Sequence, residues 1–157
     1  ILPEYLKTKT RGHVNDYRDW GVPLGRRFRA LKLWFVIRSF GLEGIREKLR
    51  RHIALNKHFT EALSQLDGIC FPLEPFLNFS CFRLQPEGME NPEALNHLNE
   101  TFLEEINRGG ELYLTHTKIE GLYTLRMIIG QTYVEKEDVE RALELITDAT
   151  AQSIKNG

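Results

Sequence analysis

The fold class that the sequence predicts is α+β: a small antiparallel sheet of about four strands, covered by helices on one face. Three observations predict it. Segments of helical and strand period follow one another in the order helix, helix, strand pair, helix, strand pair, helix. The strand segments are short and paired around Glu74-Pro75 and Glu120-Gly121, turn residues that suit antiparallel neighbours. The 157 residues, 41% of them hydrophobic, suffice for one core.

The elements follow in order. Residues 1–22 scatter Thr8, Thr10, Gly12, Asn15, Asp16 and Gly21 among charges with no sustained period, and read as irregular and mobile. Pro23 suits the first turn of a helix, where its missing N–H costs nothing. Leu24–Phe40 then reads as helical and apolar nearly all round, which predicts burial on most sides, and Gly41 breaks or kinks it. A second helix is expected over Leu42–Leu66. Ile45, Leu49, His52, Ile53 and Asn56 trace its stripe, continued by Phe59, Leu63 and Leu66. Ile69–Leu73 and Phe76–Leu84 read as the first strand pair.

Asn91-Pro92-Glu93 has the form of a helix start: a capping Asn, Pro in the first turn and an acid at the positive end of the dipole. Leu95, Leu98, Phe102 and Ile106 give that helix its buried face, and Gly109-Gly110 stops it. Glu111–Thr117 and Leu122–Ile129 form the second strand pair. The last helix runs over Glu135–Lys155, with Val139, Ala142, Leu143 and Ile146 inward.

Several chemistries find little support. A formal net charge of −1 provides no global field for nucleic acid or an anionic membrane. The apolar runs Leu33–Ile37 and Met127–Ile129 are too short to cross a bilayer, and no signal-peptide pattern is visible. Cys70 and Cys81 make no disulfide framework, so a reduced cytoplasmic setting is expected, with both as structural thiols in strands. His52 and His58 point to different faces of a helix, and His97 and His116 are read as lacking a close Cys or carboxylate partner. No metal site is expected. The cluster Arg26, Arg27, Arg29 and Lys32 reads as pairing with acids or lining an interface between chains. Thr115-His116-Thr117, polar where apolar alternation is due, reads as an edge or interface strand. Tyr5, taken by itself, is a lone phenol on a flexible segment.

Read together, Tyr5-Leu6-Lys7 and the run from Asp16-Tyr17-Arg18-Asp19-Trp20-Gly21-Val22 through Pro23-Leu24-Gly25-Arg26-Arg27-Phe28-Arg29-Ala30-Leu31 to Phe40-Gly41 resemble the group II pyridoxal-phosphate decarboxylases. The similarity is greatest to the branch of aromatic-L-amino-acid, tyrosine and histidine decarboxylases. Ser80-Cys81-Phe82-Arg83-Leu84 resembles the family's strand ending in Phe-Arg-Leu, and Leu125-Arg126, Val139 and Ala142 fit its final strand and helix. The stretch between Tyr5 and Asp16 is shorter than in the animal enzymes.

The resemblance implies a C-terminal region of a fold-type-I pyridoxal-phosphate (PLP) enzyme. Residues 1–22 would be its mobile catalytic loop and 23–157 its small domain. It places the cofactor on an upstream large domain, as a Schiff base on a lysine beside a stacking histidine, and no His-Lys signature occurs here. It implies that Tyr5 gives a proton to the carbon left when carbon dioxide departs, reaching across to a second identical subunit. Relatives with Phe there make aldehydes. It implies that Gly25 lines the substrate pocket, where Gly goes with bulky aromatic rings and Ser with smaller ones. The implied activity is decarboxylation of an L-amino acid, aromatic on the Gly25 criterion, to its amine. The implied partners are the chain's own large domain and a homodimer mate, and the fragment alone is expected to be inactive. Aldehyde synthesis, decarboxylation of a non-aromatic amino acid and a non-catalytic dimerisation module are the alternatives.

Overall fold

The computed structural model describes residues 28–156, with side-chain surroundings through Ser153. Its contacts divide the chain into two units, Ile1–Gly41 and Leu42–Gly157. The first helix, α1 (Arg29–Leu63), crosses that boundary with a kink at Gly41, where φ is 66° and ψ 174°. A residue with a Cβ is strained at that φ and glycine is not, so the expected break has its physical cause.

The described part of the first unit departs from one expectation. Leu33, Trp34, Phe35 and Ile37 are all about half exposed or more, so no described residue buries the apolar girdle that the composition assigns to the interior. Contiguous apolar surface of this kind marks a surface that something else covers. Arg29 and Lys32 of the basic cluster are exposed, while Arg26 and Arg27 lie outside the described residues.

In the second unit the element order matches the sequence reading. β1 (Ile69–Cys70) and β2 (Phe79–Leu84) precede α2 (Pro92–Arg108), then β3 (Thr115–Ile119), β4 (Leu122–Ile128) and α3 (Lys136–Asn156). The four strands form one antiparallel sheet in the order β1-β2-β4-β3. The turn between β3 and β4 uses Glu120 at φ 52° and Gly121 at φ 81°, two left-handed residues as a tight hairpin requires.

The strand limits differ from expectation for polar reasons. β1 shrinks to two residues, and the hairpin before β2 closes later, at Phe76–Phe79, with Leu77 at φ 53°. Residues 111–114 are not strand. Asn107 takes over the backbone of Leu114 there, accepting from its N–H at 2.8 Å and donating to its carbonyl at 3.0 Å. The cap of α2 is as read: Asn91 Oδ1 accepts from the N–H groups of Glu93 and Ala94.

The core lies between the sheet and the helices of this unit. Phe59 and Leu63 of α1, Phe82 and Leu84 of β2, Phe102 and Ile106 of α2, Leu125 of β4 and Val139 and Ile146 of α3 are all 5% exposed or less. Phe59 and Phe82 meet edge to face at 5.9 Å. The stripe assigned to Leu42–Leu66 needs correction at its N-terminal end. Leu49 and Ile53 are 55% and 39% exposed, whereas His52 and Asn56 are buried. His52 Nε2 lies 3.1 Å from Gln131 O, and Lys48 donates to Thr132 O, so this turn of the helix meets the polar backbone before α3.

A buried polar lock joins α2 to the sheet. Asn99 is fully buried, accepts from the N–H of Leu84 and donates to the carbonyls of Leu84 and Leu95, each at 2.8 Å. Asn99→Ala strands buried backbone groups, and the expected loss of stability is about 2–3 kcal/mol. Urea unfolding with an unchanged m-value checks this, and a loss below about 0.5 kcal/mol contradicts it.

Candidate active-site face of the sheet

The register of the sheet sorts its side chains into two faces. Ser80, Phe82 and Leu84 on β2 share a side with Tyr123, Leu125 and Met127 on β4. This is the side that enters the core with the helices of residues 42–157. The opposite side carries Phe79, Cys81 and Arg83 on β2, Leu122, Thr124, Arg126 and Ile128 on β4, and Thr115, Thr117 and Ile119 on β3. These residues stand outside the core cluster of the unit.

That second face mixes apolar rim, small buried centre and two guanidinium groups. Ile128 is 55% exposed, while Cys81 and Thr124 are buried. Burial pushes the Cys81 thiol up from its ordinary value, and the charge of Arg126 on the neighbouring strand opposes this only in part. Cys81 is buried and Cys70 half-buried, both as free thiols. Arg83 donates twice to Gln85 Oε1, at 3.1 and 3.0 Å. Arg126 differs. Its guanidinium carbon stands 5.5 Å from the centre of the Phe79 ring, and among the described residues no carboxylate or carbonyl takes its donors.

Another charged cluster is paired within itself. Arg141 is held by Glu111 and Glu144, which raises its pKa further, and it lowers that of Glu111. A groove of about 890 Å³ beside this cluster runs between the end of β4 and α3, flanked by Tyr113 and Tyr133, and contains no unpaired cation. Thr115-His116-Thr117 lies on β3, an edge of the sheet, where His116 stacks on Tyr123 at 4.3 Å. Among the described residues no group of three His, Cys, Asp or Glu could hold a metal ion, and no helix is long and apolar enough to cross a membrane.

Both residues singled out from the sequence, Tyr5 and Gly25, lie outside the described residues. Arg126 was not singled out as a candidate from the sequence, although the alternation in Leu122–Ile128 carries the signal that sets it apart. With Tyr123, Leu125 and Met127 inward, a charged residue between them has to stand on the other face.

A small α+β domain with a four-stranded antiparallel sheet is a form shared by many enzymes; its relatives narrow it. The family model for the pyridoxal-dependent decarboxylase conserved domain matches residues 1–85, and the chain belongs to that family. It is 38% identical over 148 residues to a tryptophan decarboxylase of Camptotheca acuminata, covering 93% of this chain and 30% of the relative. It is equally identical, over the same length and with the same shares covered, to a phenylacetaldehyde synthase of Arabidopsis thaliana. Among solved structures, the Oryza sativa TDC with PLP and tryptamine superposes with a TM-score of 0.74 at 32% identity, over 97% of this chain and 32% of that one. The chain therefore spans about 30% of the length of the curated relatives it matches.

The lysines between residues 28 and 153 do not fit the family's cofactor. A cofactor held as a Schiff base requires an unpaired amine in a cleft. Lys57 and Lys136 pair with Glu61 and Glu140, Lys48 is engaged by Thr132 O and the Tyr133 ring, and Lys32 and Lys118 are exposed.

Proposed function

We propose that this chain is the C-terminal part of a PLP-dependent decarboxylase that converts an L-amino acid, aromatic in side chain, to its amine and carbon dioxide. The observation that carries the proposal is the family match over residues 1–85. The protein works as a cytoplasmic homodimer in this reading, and the sheet face that bears Phe79, Arg126 and Ile128 packs against the chain's own large domain. Support for that packing is the exposure of Ile128, 55%, beside Arg126 on this face, together with relatives about three times as long. Burying such a face is what an interface of mixed apolar and Arg character is suited to.

PLP, when bound, supplies the electron sink. This chain's residues then have separate tasks. Tyr5, on a loop that closes after substrate enters, holds a proton for the carbon that has lost carbon dioxide, while the closed loop keeps water out. Gly25 leaves room for a bulky ring. Arg126 presents unused donors suited to a carboxylate, which a guanidinium binds in a forked geometry. Once the face is covered, an unpaired guanidinium there is costly, so it requires an anion.

In the full-length protein, Arg126→Gln is expected to raise KM for L-tryptophan or L-tyrosine about 10- to 100-fold. A hydrogen bond to a charged group is worth about 1.5–3 kcal/mol, and each 1.4 kcal/mol is tenfold. An unchanged KM removes Arg126 from the site.

A further inference from the structure

We infer that Phe79 is a positioning residue whose ring holds the guanidinium of Arg126 in the orientation that takes a carboxylate. The inference rests on the reading of Arg126 just given. Phe79 pairs with Ile128 across β2 and β4, so Arg126, two residues along the partner strand, is its diagonal neighbour on the same face. The guanidinium carbon is 5.5 Å from the ring centre, within the range of a cation–π contact. An ion pair would hold the arginine by consuming its N–H donors. An aromatic face restrains the same group and leaves the donors at its edge unused. A long side chain that must meet a substrate carboxylate gains from this restraint, because less conformational freedom is lost on binding.

The backbone under the ring is held with unusual thoroughness. Phe76 and Phe79 exchange both backbone hydrogen bonds, at 2.9 and 3.0 Å, around a turn in which Leu77 takes φ 53°. Asn56 of α1, 1% exposed, donates to the carbonyls of both Leu77 and Phe79, at 3.2 and 3.3 Å. Asn78 donates to Ile129 O at 2.8 Å, and its own carbonyl accepts from Ile129 N at 3.0 Å. The turn that carries Phe79 is thereby tied to the helix behind it and to the end of the strand that carries Arg126. Ring and guanidinium ride on backbones fixed to each other, an arrangement that preserves their relative position when ligand arrives.

The test uses the full-length protein loaded with PLP, turning over L-tryptophan or L-tyrosine, and calorimetric binding of 3-indolepropionate, a carboxylate without the reacting amine. Phe79→Leu is expected to raise KM and weaken the analogue about three- to tenfold, with kcat within about twofold. Phe79→Tyr keeps the ring and is expected to return both to within about twofold of the parent. Unchanged KM and binding in Phe79→Leu, with both impaired in Arg126→Gln, overturn the inference alone. Unchanged KM and binding in Arg126→Gln overturn the carboxylate reading and the inference together. A Phe79→Tyr variant as impaired as Phe79→Leu, or a loss of kcat at constant KM, assigns Phe79 a merely structural role and also overturns it.

Discussion

Replacing Tyr5 with Phe in the full-length protein is expected to cut amine output by about 10²–10⁴-fold, the contribution a positioned acid usually makes. Substrate binding and loss of carbon dioxide are expected to persist, because the proposed role of the phenol begins only after that loss. A carbon left without its proton can react with oxygen and water, giving aldehyde, ammonia and hydrogen peroxide. Peroxide release therefore separates a missing proton donor from a misfolded enzyme. The proposed reach across the dimer adds a second readout. Tyr5→Phe chains mixed with chains lacking the Schiff-base lysine are expected to regain about one working site per mixed dimer, since the intact loop of one covers the intact cofactor site of the other. Heterodimers that form and stay inactive place the loop within its own subunit. Amine production at the parent rate in Tyr5→Phe removes Tyr5 from the chemistry.

The second large effect concerns the fold. Phe82 is fully buried on β2, edge to face with Phe59 and tilted against Phe71 at 6.4 Å. Phe82→Ala opens a cavity between the sheet and α1, and the expected destabilisation is about 3–5 kcal/mol, a large share of the roughly 5–15 kcal/mol margin of an ordinary domain. Phe76→Ala, at a ring 70% exposed, is expected to cost within about 0.5 kcal/mol. Equilibrium urea unfolding of both variants measures the difference. Similar midpoints for the two would mean that the core does not lie between the Phe82 face and the helices.

How much of this was legible in the sequence depends on what sets each feature. Gly41, the Asn91-Pro92-Glu93 start and the Glu120-Gly121 turn were readable because each depends on local backbone chemistry. The ends of the strands were not, because Asn107 captures Leu114 and Asn78 captures Ile129 through side-chain bonds that no periodicity carries. The polar stripe of α1 misled in the same way. Leu49 and Ile53 lie exposed while His52 and Asn56 go inward to meet backbone groups. On the candidate site, Tyr5 and Gly25 came from the resemblance and not from spacing, whereas Arg126 needed the pairing of β2 with β4 to stand out. Alternation alone says that it faces away from the core. Only the structure brings Phe79 beneath it and leaves it without a carboxylate among the described residues.

Product analysis of the full-length protein, loaded with PLP and given L-tryptophan and L-tyrosine under air, tests the central claim most directly. The reading of this chain predicts carbon dioxide and the corresponding amine in equal amounts, with hydrogen peroxide at no more than trace levels. Aldehyde and peroxide in place of amine would contradict the role of Tyr5, and no release of carbon dioxide from either amino acid would contradict the proposed decarboxylase of aromatic amino acids.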